Sequence, residues 1–166
     1  QAFLPSLPYF SFDQFDGTDL TGPFFYFLQN NFPQSKLFEN LNNKFPCKFF
    51  IAAGLKDEDL VNEIMNSSFK ENCISFSKMT IAETIPIISN CSYYIGNDTG
   101  WAQISAALNL KSLFLFCDSP SEAYGKWRNN INIIVPEGEK ICRHNTRGKD
   151  KISYNEVLSS SLKLIS

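Results

Sequence analysis

Six short runs of apolar, aromatic and β-branched residues recur along the chain, near residues 24–28, 48–53, 73–76, 93–95, 112–117 and 132–135. The stretches between them carry helical periodicity. Runs this short and this continuously apolar suit strands covered on both faces, since a half-exposed strand alternates apolar with polar residues. Strands that alternate with helices predict parallel pairing, because a parallel connection must be long enough to cross over the sheet. The predicted fold class is therefore α/β, a parallel sheet with helices on both faces. Ser35–Phe45 would place Leu37, Phe38, Leu41 and Phe45 on one helical face. Thr80 and Glu83 form a Thr-x-x-Glu capping box at the start of another helix, which Pro86 should kink or force to start late. Lys151–Ser166 reads as a last helix with Val157, Leu158, Leu162 and Ile165 inward.

One stretch combines these signals most sharply. Tyr93-Tyr94-Ile95 has the character of a buried strand end, Gly96 to Thr99 that of a polar turn, and from Gly100 the period changes. Trp101, Ile104 and Leu108 then fall on one helical face, while Ala106 and Ala107 would permit close approach to a sheet. A strand, a polar turn and a helix start together present unpaired backbone N–H groups, an arrangement suited to phosphate. Gly100 would let a ligand reach the backbone, and Thr99 would add a hydroxyl. Asp98 would repel a phosphate, so it should either cap the helix or accept hydrogen bonds from ligand hydroxyls. An ordinary capped helix of an α/β domain has the same local pattern.

Asn97-Asp98-Thr99-Gly100, followed by Gln103, Ala106-Ala107-Leu108 and Leu113-Phe114-Leu115-Phe116, resembles the heptosyltransferases of lipopolysaccharide synthesis, the family 9 glycosyltransferases. The resemblance runs from about Phe24 to Ser166 and is strongest between Met79 and Trp127. It implies that residues 24–166 form a three-layer, Rossmann-like nucleotide-sugar-binding domain, the C-terminal half of a GT-B fold. Residues 1–23, rich in Pro and aromatics and without a period, would then be a linker or arm to an N-terminal domain. The family's usual His is Gln103 here, which can donate a hydrogen bond but cannot titrate, and this leaves the sugar of the donor open.

The resemblance also implies a donor-binding set: Asp98, Thr99, Gly100, Trp101, Gln103, Glu58, Met79 and Lys126. Glu58, four residues after Gly54, would accept the ribose hydroxyls; it also reads simply as an acid in the first turn of a helix, beside Asp57 and Asp59. Met79 would pack on the base, or merely on the core. Lys126 or Arg128 would meet the diphosphate, the rival being a solvated lysine. Relatives often carry Lys-Arg-Trp-Pro where this chain has Asn30-Asn31-Phe32-Pro33, so that cation is lost. His144, between Arg143 and Arg147, suggests a surface or phosphate contact rather than catalysis.

The formal charge of −2 and the absence of a basic run argue against nucleic acid as a partner. Charged residues are few at 19% and Phe numerous at 16, which hints at surface covered by another domain. With no apolar stretch long enough to span a membrane and no signal peptide, the expected location is the cytoplasm, with peripheral attachment to the inner membrane compatible with it. The start at Gln1 suggests a piece of a longer protein. Five scattered cysteines without a CxxC pair fit reduced thiols, with Cys47, Cys73, Cys91 and Cys117 expected in the core.

The implied reaction is inverting transfer of a sugar from a nucleotide-diphosphate donor, of the ADP-heptose kind, to a lipopolysaccharide, other glycan or lipid-linked acceptor. No metal or cofactor is needed for it, because helix-start amides would hold the departing diphosphate. The base would lie in the N-terminal domain, so residues 1–166 alone should bind donor and turn over poorly or not at all. Two other readings stand beside it: a GT-B nucleotide-sugar enzyme such as an epimerase, and a degenerate, non-catalytic binding domain.

Overall fold

Six parallel strands form one sheet: β1 (Phe24–Phe27), β2 (Phe49–Ile51), β3 (Cys73–Ser75), β4 (Tyr93–Asn97), β5 (Lys111–Leu115) and β6 (Ile131–Ile134). Their order across the sheet is β3-β2-β1-β4-β5-β6. The computed structural model describes residues 24–27, 34–53, 57–76 and 79–166, with only the backbone of β1; the predicted arm 1–23, the loop 29–33 and Gly54 lie outside the described residues. The helices are α1 (Gln34–Lys44), α2 (Glu58–Met65), α3 (Ile81–Ile88), α4 (Gly100–Ala107), α5 (Ser121–Tyr124) and α6 (Tyr154–Ile165).

The apolar runs alternate between two cores, as the pleat of a strand requires. Phe49, Ile51, Tyr93, Ile95, Leu113 and Leu115 face α1, α2 and α6. Phe50, Tyr94, Phe114 and Phe116 face α3 and α4 on the other side. This is why β2, β4 and the body of β5 carry no polar alternation: each is buried on both faces, and the three-layer architecture follows. At the sheet edge β6 does alternate, with Asn132 exposed. Leu37, Phe38 and Leu41 of α1 are buried as predicted, with Phe45 partly so.

Two local expectations are corrected. The helix after Thr80 does not start late: α3 begins at Ile81 behind a complete capping box, in which the Glu83 amide reaches Thr80 Oγ1 at 3.4 Å and Thr80 N–H reaches Glu83 Oε2 at 2.7 Å. Pro86 lies near its end, where one missing backbone bond costs little continuity. In α6 the inward residues are Val157, Ser161, Leu164 and Ile165, while Leu158 and Leu162 are only partly covered.

Strand order reverses between β1 and β4, whose registers run Phe24–Tyr93 to Phe27–Gly96. In open parallel sheets, ligands bind in the crevice outside the carboxyl ends at such a reversal. The turn from β4 into α4 therefore stands at the place where this architecture gathers a ligand.

Candidate functional site

β4 ends at Asn97 and α4 begins at Gly100, so only Asp98 and Thr99 separate strand from helix. The Asp98 amide stays on the sheet, donating to the Leu115 carbonyl at 3.1 Å. The helix ladder opens with the Gln103 amide donating to the Thr99 carbonyl at 3.2 Å, so the Thr99 and Gly100 amides lie ahead of it. Gly100 is exposed, and a Cβ there would meet nothing within 4 Å. The helix start opens onto space at the sheet's carboxyl edge, with the positive end of the dipole toward it.

The Thr99 hydroxyl does not share that exposure. It makes no cap for the helix, and its oxygen is buried on the side of the Tyr94 phenol. Tyr94 is fully buried and donates to the Asn97 carbonyl at 3.0 Å; burial pushes its phenol well above the usual range. Among the described residues the Thr99 hydroxyl finds no hydrogen-bond partner, so what Thr99 offers upward is backbone.

Asp98 neither caps the helix nor stands free. Its Oδ1 accepts from Gln103 Nε2 at 2.7 Å, and its Oδ2 from Ser119 Oγ at 2.7 Å. Gln103 also donates to the Tyr124 carbonyl at 3.3 Å, and its Oε1 accepts from the Trp127 indole N–H at 2.8 Å. One amide and one carboxylate therefore tie the α4 start to the segment 119–127 that follows β5. No local sequence pattern marks Ser119 as a partner of Asp98. The only signal was its place in the Asp118–Ser121 turn, beyond the strand end.

The buried face of α4 is Ala102, Ser105 and Ala106, and not Trp101, Ile104 and Leu108. The helix lies so close to the sheet that only small side chains fit beneath it. Trp101 and Leu108 pack partly buried against the flank of the second core, which Met79 also covers. Met79, just beyond the β3 end, is held by its amide to the Phe76 carbonyl at 2.9 Å. Glu58 is the exposed first residue of α2, on the same carboxyl edge two strands away from β4. Lys126 is exposed and paired with Glu122, N to O 2.5 Å, and Arg128 lies over the Trp127 ring at 5.4 Å. The structure thus joins Asp98, Thr99, Gly100 and Gln103 in one turn, and sets Trp101 and Met79 against one core.

A sequence profile described as glycosyltransferase family 9 (heptosyltransferase) matches residues 30–153. The chain belongs to glycosyltransferase family 9. It is 30% identical over 115 residues to the lipopolysaccharide heptosyltransferase 1 of Campylobacter coli, a match covering 67% of this chain and 33% of that protein. Among solved structures, E. coli ADP-heptose LPS heptosyltransferase II superposes with a TM-score of 0.68 at 20% identity, covering 87% of this chain and 46% of that one. The E. coli heptosyltransferase WaaC with ADP gives 0.66 at 14% identity, covering 89% and 45%. The family 9 glycosyl transferase of Veillonella parvula gives 0.68 at 16%, covering 89% and 46%. This family 9 chain spans about a third of the curated relative and less than half of each solved structure. Its fold is that of one Rossmann-like half of the GT-B arrangement, and the coverage is consistent with the C-terminal half. Among the described residues, no helix is long and apolar enough to cross a membrane.

Proposed function

We propose that this domain is the donor-binding half of a heptosyltransferase-type glycosyltransferase, which transfers a sugar with inversion from a nucleotide-diphosphate donor to a lipopolysaccharide or related glycan. The observation that carries the reading is the open start of α4 at the β1/β4 reversal, where the space beside Gly100 is empty. In this reading the diphosphate lies on the Thr99 and Gly100 amides, where charge gathering on the leaving group is met by preorganised donors and the helix dipole. Each hydrogen bond to such a charged group is worth about 1.5–3 kcal/mol. Asp98 and Gln103, locked to each other, present fixed polar atoms to the sugar. Trp101 and Met79 wall the site on the side of their shared core, and Glu58 takes the ribose. Lys126 supplies a cation once released from Glu122. An N-terminal partner domain brings the base and the acceptor. The solved relative that carries ADP makes an adenine nucleotide the first ligand to try.

Titration calorimetry of the chain with ADP-, UDP- and GDP-sugars tests this. Preference for the ADP-sugar supports the reading. Preference for UDP or GDP moves the chain to another nucleotide-sugar enzyme, and no binding by a folded sample leaves a non-catalytic domain.

A further inference from the structure

The loop after β6 carries charge that the donor reading does not use. From Pro136 through Lys151 stand five Lys and Arg against three Asp and Glu, in a chain whose formal net charge is −2. A cleft of about 590 Å³ opens within this loop, lined by Gly138, Glu139, Lys140, Arg143, Asn145 and Thr146. Among the described residues, neither Lys140 nor Arg143 forms an ion pair. Lys140 and Arg143 thus both line the cleft without an ion pair, against Glu139 as its one carboxylate.

The loop is fastened to the sheet edge at several points. The Ser121 amide donates to the Cys142 carbonyl at 3.1 Å, the Cys142 amide to Ser121 Oγ at 2.9 Å, and the Gly148 amide to the Cys117 carbonyl at 2.8 Å. Arg143 and Thr146 close a turn on each other, through the Arg143 amide to Thr146 Oγ1 at 2.9 Å and the Thr146 amide to the Arg143 carbonyl at 3.0 Å. Gly138 takes a left-handed φ of 85°, which bends the chain back at the mouth. The segment that holds this loop, 117–121, is the one whose Ser119 binds Asp98. β6 lies two strands from β4, roughly 10 Å at ordinary strand spacing. The cleft is therefore a neighbour of the α4 start along the same edge, and separate from it.

We propose that the cleft is a second anion site, which takes a phosphate monoester carried on a saccharide. A guanidinium and an ammonium suit a dianion with several acceptor oxygens, Arg by paired N–H groups and Lys as a point charge. The volume exceeds what a bare phosphate needs. The remaining lining is the amide of Asn145 and the hydroxyl of Thr146, with Ile141 its only large apolar side chain, and suits a hydroxylated body better than a flat base. Assigning this ligand to the acceptor side of the transfer rests on the donor reading above; the anion site itself does not.

Amide NMR of the full chain, titrated separately with glucose 6-phosphate, inorganic phosphate, glucose and ADP, tests the proposal. Glucose 6-phosphate should shift the Gly138, Asn145 and Thr146 amides saturably and bind more tightly than inorganic phosphate, while glucose moves none of them. Lys140→Ala with Arg143→Ala should weaken this binding at least tenfold, and Lys140→Ala alone should weaken it less. Absence of any shift with both phosphates, or equal binding by the double variant, overturns the site. Equal affinity for the two phosphates overturns its saccharide part. ADP reports on the Gly100 amide instead, so the donor reading stands or falls by a different resonance; ADP moving the loop amides in place of Gly100 counts against both.

Discussion

The Gln103 side-chain amide donates to the Asp98 carboxylate at 2.7 Å, joining the first turn of α4 to the residue that ends β4's approach to it. Gln103 simultaneously accepts from the Trp127 indole at 2.8 Å, so its removal frees both a carboxylate oxygen and an aromatic ring. Gln103→Ala should cost about 0.5–1.5 kcal/mol of stability per bond lost, toward the lower figure because Trp127 is half exposed. In a Trp101→Phe background, the emission of Trp127 should change with Gln103→Ala and be unaffected by Lys126→Ala. Urea denaturation and fluorescence check both. A Gln103→His variant can keep the bond to Asp98, and the neighbouring carboxylate should raise its imidazole above the ordinary value of about 6.5. Stability gained this way is full below that value and is lost as pH rises through the raised pKa, a dependence that Gln103 does not confer.

Gly100 separates stability from binding. A Cβ there meets no atom within 4 Å, and the residue's φ does not fall in the left-handed region, so Gly100→Val should leave stability within about 0.5 kcal/mol. The added side chain would occupy the space before the helix amides. Nucleotide affinity should fall at least tenfold, about 1.4 kcal/mol, by calorimetry. Unchanged affinity in a folded variant would remove the α4 start from the site.

Much of this was legible in the sequence because the sheet is buried on both sides. Phe49-Phe50-Ile51 and Leu113-Phe114-Leu115 show no polar alternation, and that alone predicts covered parallel strands. The capping box at Thr80 and Glu83 was likewise local and formed as read. What could not be read was orientation across the fold. Trp101, Ile104 and Leu108 share a helical face and Ala106 and Ala107 offer close approach to the sheet; Ala106 takes that place with Ala102 and Ser105, while Ala107 is exposed and the Trp101 face is only partly covered. The sequence offers Asp98 as a cap or a ligand contact, whereas Ser119, 21 residues away, takes one of its oxygens. No local pattern encodes such a pairing, because it depends on how closely the β5 and β4 loops approach.

All five cysteines are buried thiols with no disulfide among them, consistent with the core positions expected for four of them. Burial pushes the Cys47 thiol up to about 12, helped by the nearby Cys73, and the Cys91 thiol also up to about 12. Cys73 rises to about 11 by burial, against the lowering effect of Lys48. These thiols should resist iodoacetamide at pH 8 in the native protein and react after urea denaturation, with mass spectrometry locating the label. The linkage has a definite sign. Unfolding releases thiols that ionise from about 8.5, so the stability they contribute is full below that pH and is lost progressively toward 11–12. Melting temperature should fall as pH rises above 8.5, and replacing Cys47 and Cys91 with Ala or Val should flatten that fall.

Gly148 is the counterpart of Gly100. A Cβ there would lie 2.0 Å from Pro136 Cγ and 2.6 Å from Pro136 Cβ, and the proline ring is itself buried. The Gly148 amide is committed to the Cys117 carbonyl at 2.8 Å, so the backbone cannot withdraw without breaking a bond. The preceding residue, Arg147, already holds a left-handed φ of 50°, which fixes the direction of approach. Gly148→Ala should therefore cost about 1–3 kcal/mol through overpacking, several degrees of melting temperature for a domain of this size. Gly100→Ala, placed at the first helical position with open space around it, should be neutral or slightly stabilising. Thermal denaturation of the two variants side by side measures the difference. If Gly148→Ala melts with Gly100→Ala, the 136–148 loop is not closed by this contact, and the fixed cleft built upon it loses its foundation.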